Sequence, residues 1–198
     1  MSSNLKLIVG LGNPGEQYAR TRHNAGVWFV SRFADQQGAT FKEEKKFFGR
    51  TATTLFESQE MRLLLPTTYM NESGKSVRAL AHFFKIPPEQ ILIVHDELDL
   101  PTGAIRFKQG GGLAGHNGLR DITQRLGGNQ DFNRLRIGVG HPGQKSDVTG
   151  HVLGTVSKKD ESTIYQCIDE ALRLMPLVVN GEWQKAMNEL NGFKVEVS

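Results

Sequence analysis

Six polar side chains stand where predicted strands give way to loops, and together they have the chemistry to activate water. They are Asn13, His23, Asn71, Asp96, His116 and Asn117. A neutral imidazole is the usual general base near neutral pH, and a nearby carboxylate can fix its tautomer and stabilise the imidazolium that forms. Asparagine side chains offer N–H donors to a developing oxyanion. The set therefore fits attack of water on a carbonyl group.

Other nucleophiles are disfavoured by the sequence. No G-x-S-x-G turn is present to expose a serine. The single cysteine, Cys167, lies among apolar residues at helical spacing, so we interpret it as a core residue. A lone cysteine also excludes an intrachain disulfide framework. The polar residues have structural interpretations as well, because His23, Asn13, Asn71 and Asp96 all suit turns or helix caps.

Short β-rich runs alternate with helical patterns, which predicts an α/β fold with a largely parallel or mixed sheet. The predicted strands are Leu5–Leu11, Phe48–Leu55, Met61–Leu65, Ile91–His95, Ile105–Lys108 and Arg134–Val139. Helices are predicted after an Asn24 cap, after Asn71, after Gly118, over Asp160–Val179 with a break at Pro176, and over Glu182–Leu190. Because sites in open α/β sheets form beyond the carboxyl ends of strands, four loops are expected to converge on one crevice.

Length and composition indicate one domain over residues 1–198, since the chain is 38% hydrophobic and 23% charged and contains no linker. The chain begins MSSNLKLIVGLG. The apolar stretch in this segment is too short, and too interrupted by glycine, for a signal peptide. No apolar run approaches the ~20 residues that span a bilayer. We expect a cytoplasmic protein with no membrane partner.

Positive charge is concentrated in one segment of the chain. Residues 101–160 hold nine Lys/Arg and four Asp/Glu, although the whole protein has a net charge of only +3. Such a basic segment is typical of a surface that binds a polyanion, and it is also compatible with a solvated basic face.

Three other functions have to be weighed. The GLGNPG stretch at 10–15 is a literal G-x-G-x-x-G after a strand, as in dinucleotide-binding oxidoreductases, but the basic stretch before Asn24 separates it from the next helix. A non-enzymatic RNA-binding module fits the basic segment, although no RRM, KH or zinc-finger signature is present. A metal hydrolase would need ligand spacing such as H-E-x-x-H, which the sequence lacks.

Five separated stretches, in one order, resemble bacterial peptidyl-tRNA hydrolases from end to end. They are LIVGLGNPGEQYARTRHNAG, PTTYMNESGKSV, ILIVHDELDLPTG, GGGLAGHNGLRDI and RLRIGVGHPG. The resemblance implies a single compact α/β domain with a twisted mixed, largely parallel sheet flanked by helices. It also implies a translation enzyme that cuts the ester between a peptide and the 3′ ribose of tRNA. A monomer without metal or other cofactor is expected, with peptidyl-tRNA as its partner.

The resemblance implies roles for individual residues. His23 is similar to the family's general base and Asp96 to the group that orients it. Substrate contacts are implied for Asn13, Tyr18, Met70, Asn71 and Asn117. Contacts to tRNA phosphates are implied for Arg106, Lys108 and Arg136. The chain departs from the family's pattern at Leu113-Ala114, where polar or small residues are expected after the triple glycine, and in having Arg106 where lysine is common.

Overall fold

A computed structural model of the chain describes residues 4–113 and 115–195. Seven strands in this part form one sheet in the order β2-β3-β4-β1-β5-β7-β6. The strands are β1 (Leu7–Gly10), β2 (Lys42–Glu44), β3 (Gly49–Phe56), β4 (Gln59–Pro66), β5 (Ile91–Glu97), β6 (Ile105–Gln109) and β7 (Asn133–Gly138). Neighbours among β4, β1, β5 and β7 run parallel, whereas β2, β3 and β6 join antiparallel. The sheet is therefore mixed with a parallel centre.

Helices cover both faces of the sheet. They are α1 (Ala25–Gln36), α2 (Ser73–Phe83), α3 (Asn117–Arg125), α4 (Val148–Val152), α5 (Lys158–Arg173), α6 (Met175–Val179) and α7 (Trp183–Asn191). Pro176 is the second residue of α6, so it begins a new helix where the sequence predicted a break. Within the described ranges, no helix is both long and apolar enough to cross a membrane.

Two apolar cores, one on each face, explain why the central strands carry uninterrupted apolar runs. In β1, Leu7 and Val9 pack with residues of α2 and α3, while Ile8 packs with residues of α1 and α5. Side chains alternate between faces along a strand, so a strand covered on both sides must be apolar at every position. The predicted fold class, a single α/β domain with a mixed sheet flanked by helices, is confirmed. Its extent over residues 1–198 stays a prediction.

Two short elements were missed by the sequence analysis. Strand β2 reads Lys-Glu-Glu and lies at the sheet edge, where burial does not select apolar residues. Helix α4 has only five residues, which is too short to produce a helical repeat of apolar positions.

Residues from the loops after β1, β4, β5 and β6 line one cavity, as expected, although β6 itself does not end beside the other strands. Strand β6 runs antiparallel to β7, with Gln109 paired to Asn133 at the start of β7. Its carboxyl end therefore lies at the opposite edge of the sheet from the carboxyl ends of β1, β4 and β5. His116, which lies further along the chain, nonetheless lines the cavity at the carboxyl ends of β1, β4 and β5.

Candidate active site

A cavity of about 450 Å³ opens at the carboxyl ends of β1, β4 and β5. Each residue predicted from the resemblance to be catalytic or to bind substrate lines this cavity. These residues are Asn13, Tyr18, His23, Met70, Asn71, Asp96 and Asn117. Parallel strands place their carboxyl ends at one edge of a sheet, so residues far apart in sequence meet there.

His23 and Asp96 form the central pair of the cavity. Asp96 ends β5, whereas His23 lies in a 3₁₀ turn directly before α1. The Nδ1 atom of His23 lies 2.9 Å from both Asp96 carboxylate oxygens. An ionised carboxylate only accepts hydrogen bonds, so Nδ1 carries the proton and Nε2 keeps a free lone pair.

Each residue of the His23–Asp96 pair favours the charged form of the other. Burial on its own would lower the pKa of His23, but the adjacent Asp96 carboxylate raises that pKa above its ordinary value. Burial would raise the pKa of Asp96, yet the two imidazoles of His23 and His116 bring it well below the usual range. The carboxylate is therefore ionised although its side chain is only 1% exposed. A buried charge of this kind is stable only when it is well paired.

Asp96 is shared with a second imidazole, that of His116. Its Nε2 lies 2.9 Å from Oδ1 of Asp96, and its Nδ1 accepts hydrogen bonds from the backbone N–H groups of Gly118 and Leu119. His116 is thus the N-cap residue of α3. The sequence analysis placed His116 in the convergent set but assigned it no role, because histidine is not among the common N-cap residues.

His95 lies behind the cavity and is not part of the reactive set. Its ring is fully buried, and its Nδ1 donates to the backbone carbonyl of Asp96 at 2.8 Å. Burial lowers the pKa of His95 well below its ordinary value, so this imidazole is neutral. Its ring centroid lies 5.1 Å from that of His116, where it packs against that residue.

Asn13 is held in a defined orientation by its neighbours. Its Oδ1 accepts from the backbone N–H of Met70 at 2.7 Å, so its Nδ2 carries the donors that remain available. Asn24 fixes the Asn13 backbone with two hydrogen bonds, of 2.9 and 3.0 Å. Asn24 occupies the N-cap position of α1, as predicted, but its side chain makes no cap hydrogen bond.

The other predicted substrate residues occupy the rim and wall of the cavity. Asn71 and Asn117 are exposed at the starts of two helical segments, and Met70 is buried. The rings of Tyr18 and Tyr69 meet edge to face, with centroids 6.4 Å apart. Tyr69 was not singled out from the sequence, although it lies beside Met70 in the same loop.

An apolar wall on one side of the cavity was also missed. It is formed by Leu98, Val148, Val152 and Leu153, the last three from α4 and its end. The signal that could have found it is the i, i+4 spacing of Val148 and Val152, which puts both valines on one face of a helix. Cys167 lies elsewhere in the core, where burial raises its thiol pKa to about 11.

His23, Asp96 and His116 also form a three-dimensional cluster that linear spacing did not reveal. One ligand atom from each lies within 4.8 Å of the others, close enough to surround a metal ion. Those same atoms already hydrogen-bond one another, however, and Nε2 of His116 carries a proton. A metal would have to displace that proton and break both hydrogen bonds. Metal independence stays a prediction.

A group of four cations lies on one face of the β6–β7 pair, and we call it the cationic patch: Arg106, Lys108, Arg134 and Arg136. In the strand register Arg106 faces Arg136, and Lys108 faces Arg134. Like charges directly opposite each other destabilise a sheet, so this arrangement needs an anionic partner. Glu97 supplies one carboxylate, which lies 2.9 Å from Nε of Arg136. Glu97 also lines the cavity, so the cationic patch adjoins the candidate site.

Arg134 is the member of the cationic patch that the sequence analysis did not choose. Its side chain is buried, its Nη2 donates to the carbonyl of Gly110, and its Nε and Nη1 have no partner within the described residues. Burial and the neighbouring charges of Arg134 and Arg136 lower the pKa of Lys108. The alternation of cations at i and i+2 in both strands was the available signal.

The side chains of Arg106 and Leu113 make contacts within the protein that their positions in the sequence did not predict. The Nη1 of Arg106 donates to the carbonyls of Ile105 and Phe193 at 2.7 and 3.3 Å. Leu113 is partly buried and packs against the core that contains Leu119. Ala114, the other half of the sequence departure, lies outside the described residues.

Comparison with known proteins decides the family. The sequence model of the family described as Peptidyl-tRNA hydrolase matches residues 7–198, nearly the whole chain. The chain belongs to the peptidyl-tRNA hydrolase family. The resemblance given by the five stretches is thereby confirmed, as is the prediction that the chain is an enzyme of this family.

Relatives in the peptidyl-tRNA hydrolase family match over nearly full length. A peptidyl-tRNA hydrolase of Alcanivorax borkumensis is 57% identical, covering 98% of this chain and all of that protein. One from Haemophilus influenzae is 53% identical over 98% of this chain and all of its own length. The crystal structure of peptidyl-tRNA hydrolase from Acinetobacter baumannii superposes with a TM-score of 0.94, at 52% identity and 98% coverage of both chains.

Membership of the peptidyl-tRNA hydrolase family excludes the interpretation of the chain as a dinucleotide-binding oxidoreductase. The fold excludes it as well. In dinucleotide-binding proteins the glycine turn opens a helix directly. Here Gly15 is followed by two 3₁₀ turns, and α1 begins only at Ala25.

Proposed function

We propose that this chain hydrolyses the ester between a peptide and the 3′ ribose of tRNA, with His23 as general base and Asp96 as its orienting partner. The observation that carries the proposal is the His23–Asp96 pair, buried on the Asp96 side and facing the cavity on the His23 side. It follows from this reaction that the enzyme recycles tRNA from prematurely released peptidyl-tRNA.

The proposed reaction has two steps. Nε2 of His23 accepts a proton from water while the water oxygen bonds to the ester carbonyl carbon, giving a tetrahedral intermediate. The intermediate then collapses, the bond to the 3′ oxygen of ribose breaks, and that oxygen takes the proton back from His23. Asp96 stabilises the imidazolium that exists between the two steps.

The amide side chains of the cavity suit the substrate's carbonyl and peptide groups. Because Oδ1 of Asn13 is occupied by the N–H of Met70, Asn13 offers N–H donors to a carbonyl or an oxyanion. Asn71 and Asn117 stand at the rim, where they are placed to bind the peptide backbone and the attacking water. We propose that Tyr18 and Met70 contact the substrate along the cavity wall.

The amide N–H donors of the cavity should give the enzyme a preference for substrates whose α-nitrogen is acylated. A peptide's α-nitrogen is a neutral amide, whereas the free amine of an aminoacyl-tRNA is an ammonium at neutral pH. Burying an ammonium beside N–H donors is costly unless an anion pairs with it. Two carboxylates line the cavity, and both already have partners: Asp96 accepts from the two imidazoles and Glu97 from Arg136.

The tRNA is proposed to bind through its phosphates at the cationic patch. Arg106, Lys108 and Arg136 are proposed to make these contacts, while the buried Arg134 adds positive charge behind them. Arg106 is the weakest candidate of the three, since backbone carbonyls already occupy its Nη1. We further expect a cytoplasmic monomer that works without a metal or other cofactor.

The experiment that tests the function uses N-acetyl-aminoacyl-tRNA as substrate. The purified chain is incubated with tRNA that carries a labelled N-acetyl amino acid, and release of the acid-soluble label is followed. The proposal expects catalytic release, and a protein that binds this tRNA without releasing the label would contradict it. The His23→Ala variant serves as the matched control, because it removes the base and leaves the cationic patch intact.

A further inference from the structure

His116 is fixed between the amino end of α3 and the Asp96 carboxylate. Its side chain is only 7% exposed. Nδ1 accepts from the backbone N–H groups of Gly118 at 3.1 Å and Leu119 at 3.3 Å, and Nε2 lies 2.9 Å from Oδ1 of Asp96. Every polar atom of the imidazole therefore has a partner of fixed hydrogen-bonding type.

These partners determine where the His116 proton sits. Backbone N–H groups only donate, so Nδ1 must be unprotonated, and a carboxylate only accepts, so Nε2 must carry the proton. The opposite tautomer would direct an N–H at two N–H donors and a lone pair at a carboxylate. A doubly protonated ring would likewise direct an N–H at the two backbone N–H donors. The geometry thus selects one neutral tautomer.

Close packing keeps the ring of His116 in this position. A Cβ atom at Gly118 would lie 2.6 Å from Sδ of Met70 and 3.1 Å from Cε1 of His116. On another side, the ring of His95 meets that of His116 at 69° with centroids 5.1 Å apart. The imidazole has little room to rotate away from Asp96.

We propose that His116 is a positioning residue, whose ring is fixed by the amino end of α3 so that its Nε2–H holds the Asp96 carboxylate in place against Nδ1 of His23. This inference rests on the proposed roles of His23 and Asp96. Hydrogen bonds in a chain polarise one another, and the amino end of a helix carries partial positive charge. The backbone N–H groups therefore strengthen Nε2–H as a donor to Asp96.

The same arrangement makes the three-residue cluster a poor metal site. A metal ion bound to Nε2 of His116 would force the proton onto Nδ1, against the N–H groups of Gly118 and Leu119. The cap of α3 therefore favours an imidazole that donates to Asp96 over one that ligates a cation.

Two substitutions of His116 separate its role as the cap of α3 from its contact with Asp96. In His116→Asn the side-chain oxygen can still cap α3, because asparagine is a preferred N-cap residue, but it is too short to reach Asp96. In His116→Gln an amide N–H can reach the carboxylate. We expect His116→Asn to lower kcat about 10-fold or more, with KM changed less than about 2-fold, and His116→Gln to recover part of the loss.

A matched control exists in His141, whose Nδ1 also accepts from the backbone N–H two residues ahead, at 3.0 Å, on the exposed surface. His141→Asn should leave kcat and KM unchanged. Thermal unfolding of all variants reports whether the substitutions disturb the fold.

The tautomer is read directly on the unaltered protein by ¹⁵N NMR of labelled histidine. We expect the Nδ1 resonance of His116 in the unprotonated range and the Nε2 resonance in the protonated range. A protonated Nδ1, or a wild-type kcat in His116→Asn while His23→Ala is inactive, would overturn this inference alone. Retained turnover in His23→Ala would overturn the proposed function and this inference with it. If His116→Asn does not fold, the NMR result decides.

Discussion

The Nδ1 atom of His23 lies 2.9 Å from both carboxylate oxygens of Asp96, although 73 positions separate the two residues in the chain. This contact joins the turn before α1 to the end of β5, next to β1 in the sheet. It leaves the lone pair on Nε2 of His23 free beside the cavity. Because Asp96 is shared with His116, one buried carboxylate orders two imidazoles.

Replacing Asp96 by asparagine should damage catalysis far more than binding. An amide is neutral, and it would present a donating NH₂ at one of the two positions from which the carboxylate now faces Nδ1 of His23. His23 would lose its oriented tautomer and its charge partner. We expect kcat to fall by about 10²-fold or more in Asp96→Asn, with KM within about 3-fold. Steady-state kinetics test this, with the exposed neighbour Asp99→Asn as control, and an effect confined to KM would mean that Asp96 only shapes the pocket.

The Asp96 substitution also predicts a shift in pH dependence. Asp96 raises the pKa of His23 above its ordinary 6.5, so the wild-type acid limb of kcat/KM should lie above pH 6.5. Activity falls as pH drops through that pKa, because protonated His23 cannot accept a proton. Without the carboxylate, burial lowers the pKa of His23, and the limb of Asp96→Asn should move to lower pH. An unmoved limb would mean that another group controls it.

Asn13→Asp should reduce the discrimination between acylated and free amines. An aspartate oxygen can still accept from the N–H of Met70, while the other oxygen replaces N–H donors with negative charge. We expect the wild type to prefer N-acetyl-aminoacyl-tRNA by ~10²-fold or more in kcat/KM, and the variant to narrow that ratio at least ~10-fold. Both substrates are compared on one tRNA carrying one amino acid. Equal rates with the wild type would mean a general aminoacyl esterase, and the roles assigned to the asparagines would be abandoned.

Lys108→Gln tests whether the cationic patch binds phosphates. Each phosphate neutralised contributes a slope of about 0.7–0.9 to the dependence of log affinity on log salt. The variant should bind different elongator tRNAs more weakly to a similar extent, and the magnitude of its slope should fall by about that amount. The exposed Lys185→Gln on α7 is the control. A changed preference among tRNA sequences at unchanged slope would indicate base readout instead.

Metal independence is tested by extensive dialysis against EDTA. Activity on N-acetyl-aminoacyl-tRNA should be unchanged, because the facing atoms of His23, Asp96 and His116 are occupied by mutual hydrogen bonds. Loss of activity that zinc restores would show instead that the cluster binds a catalytic metal ion.

Most of the site was predictable because polar residues after apolar strands are conspicuous in the sequence. Asn13 and Asn71 come shortly after β1 and β4, and Asp96 is the last residue but one of β5. The parallel pairing of these strands brings the three residues together. The helix after Asn24, with Phe33 on its buried face, follows from apolar spacing at the helical period.

The remaining features depend on tertiary structure, which local sequence does not specify. The direction of β6 is set by its pairing with β7, and strand propensity is the same for either direction. Asn24 has the residue type of a helix cap, yet it binds the Asn13 backbone because β1 brings that loop within reach. His116 gains its role only from the simultaneous approach of Asp96 and the start of α3.

The most direct test of the account is single-turnover release of the N-acetyl amino acid from tRNA by the wild type and by His23→Ala. With enzyme in excess, the rate reports the chemical step and not product release. We predict that His23→Ala unfolds at the wild-type temperature and binds the same tRNA, but reacts ~10²–10⁴-fold more slowly, because no other group among the described residues is placed to take the proton from water. A variant that keeps more than about a tenth of the wild-type rate would contradict the assignment of His23 as the general base.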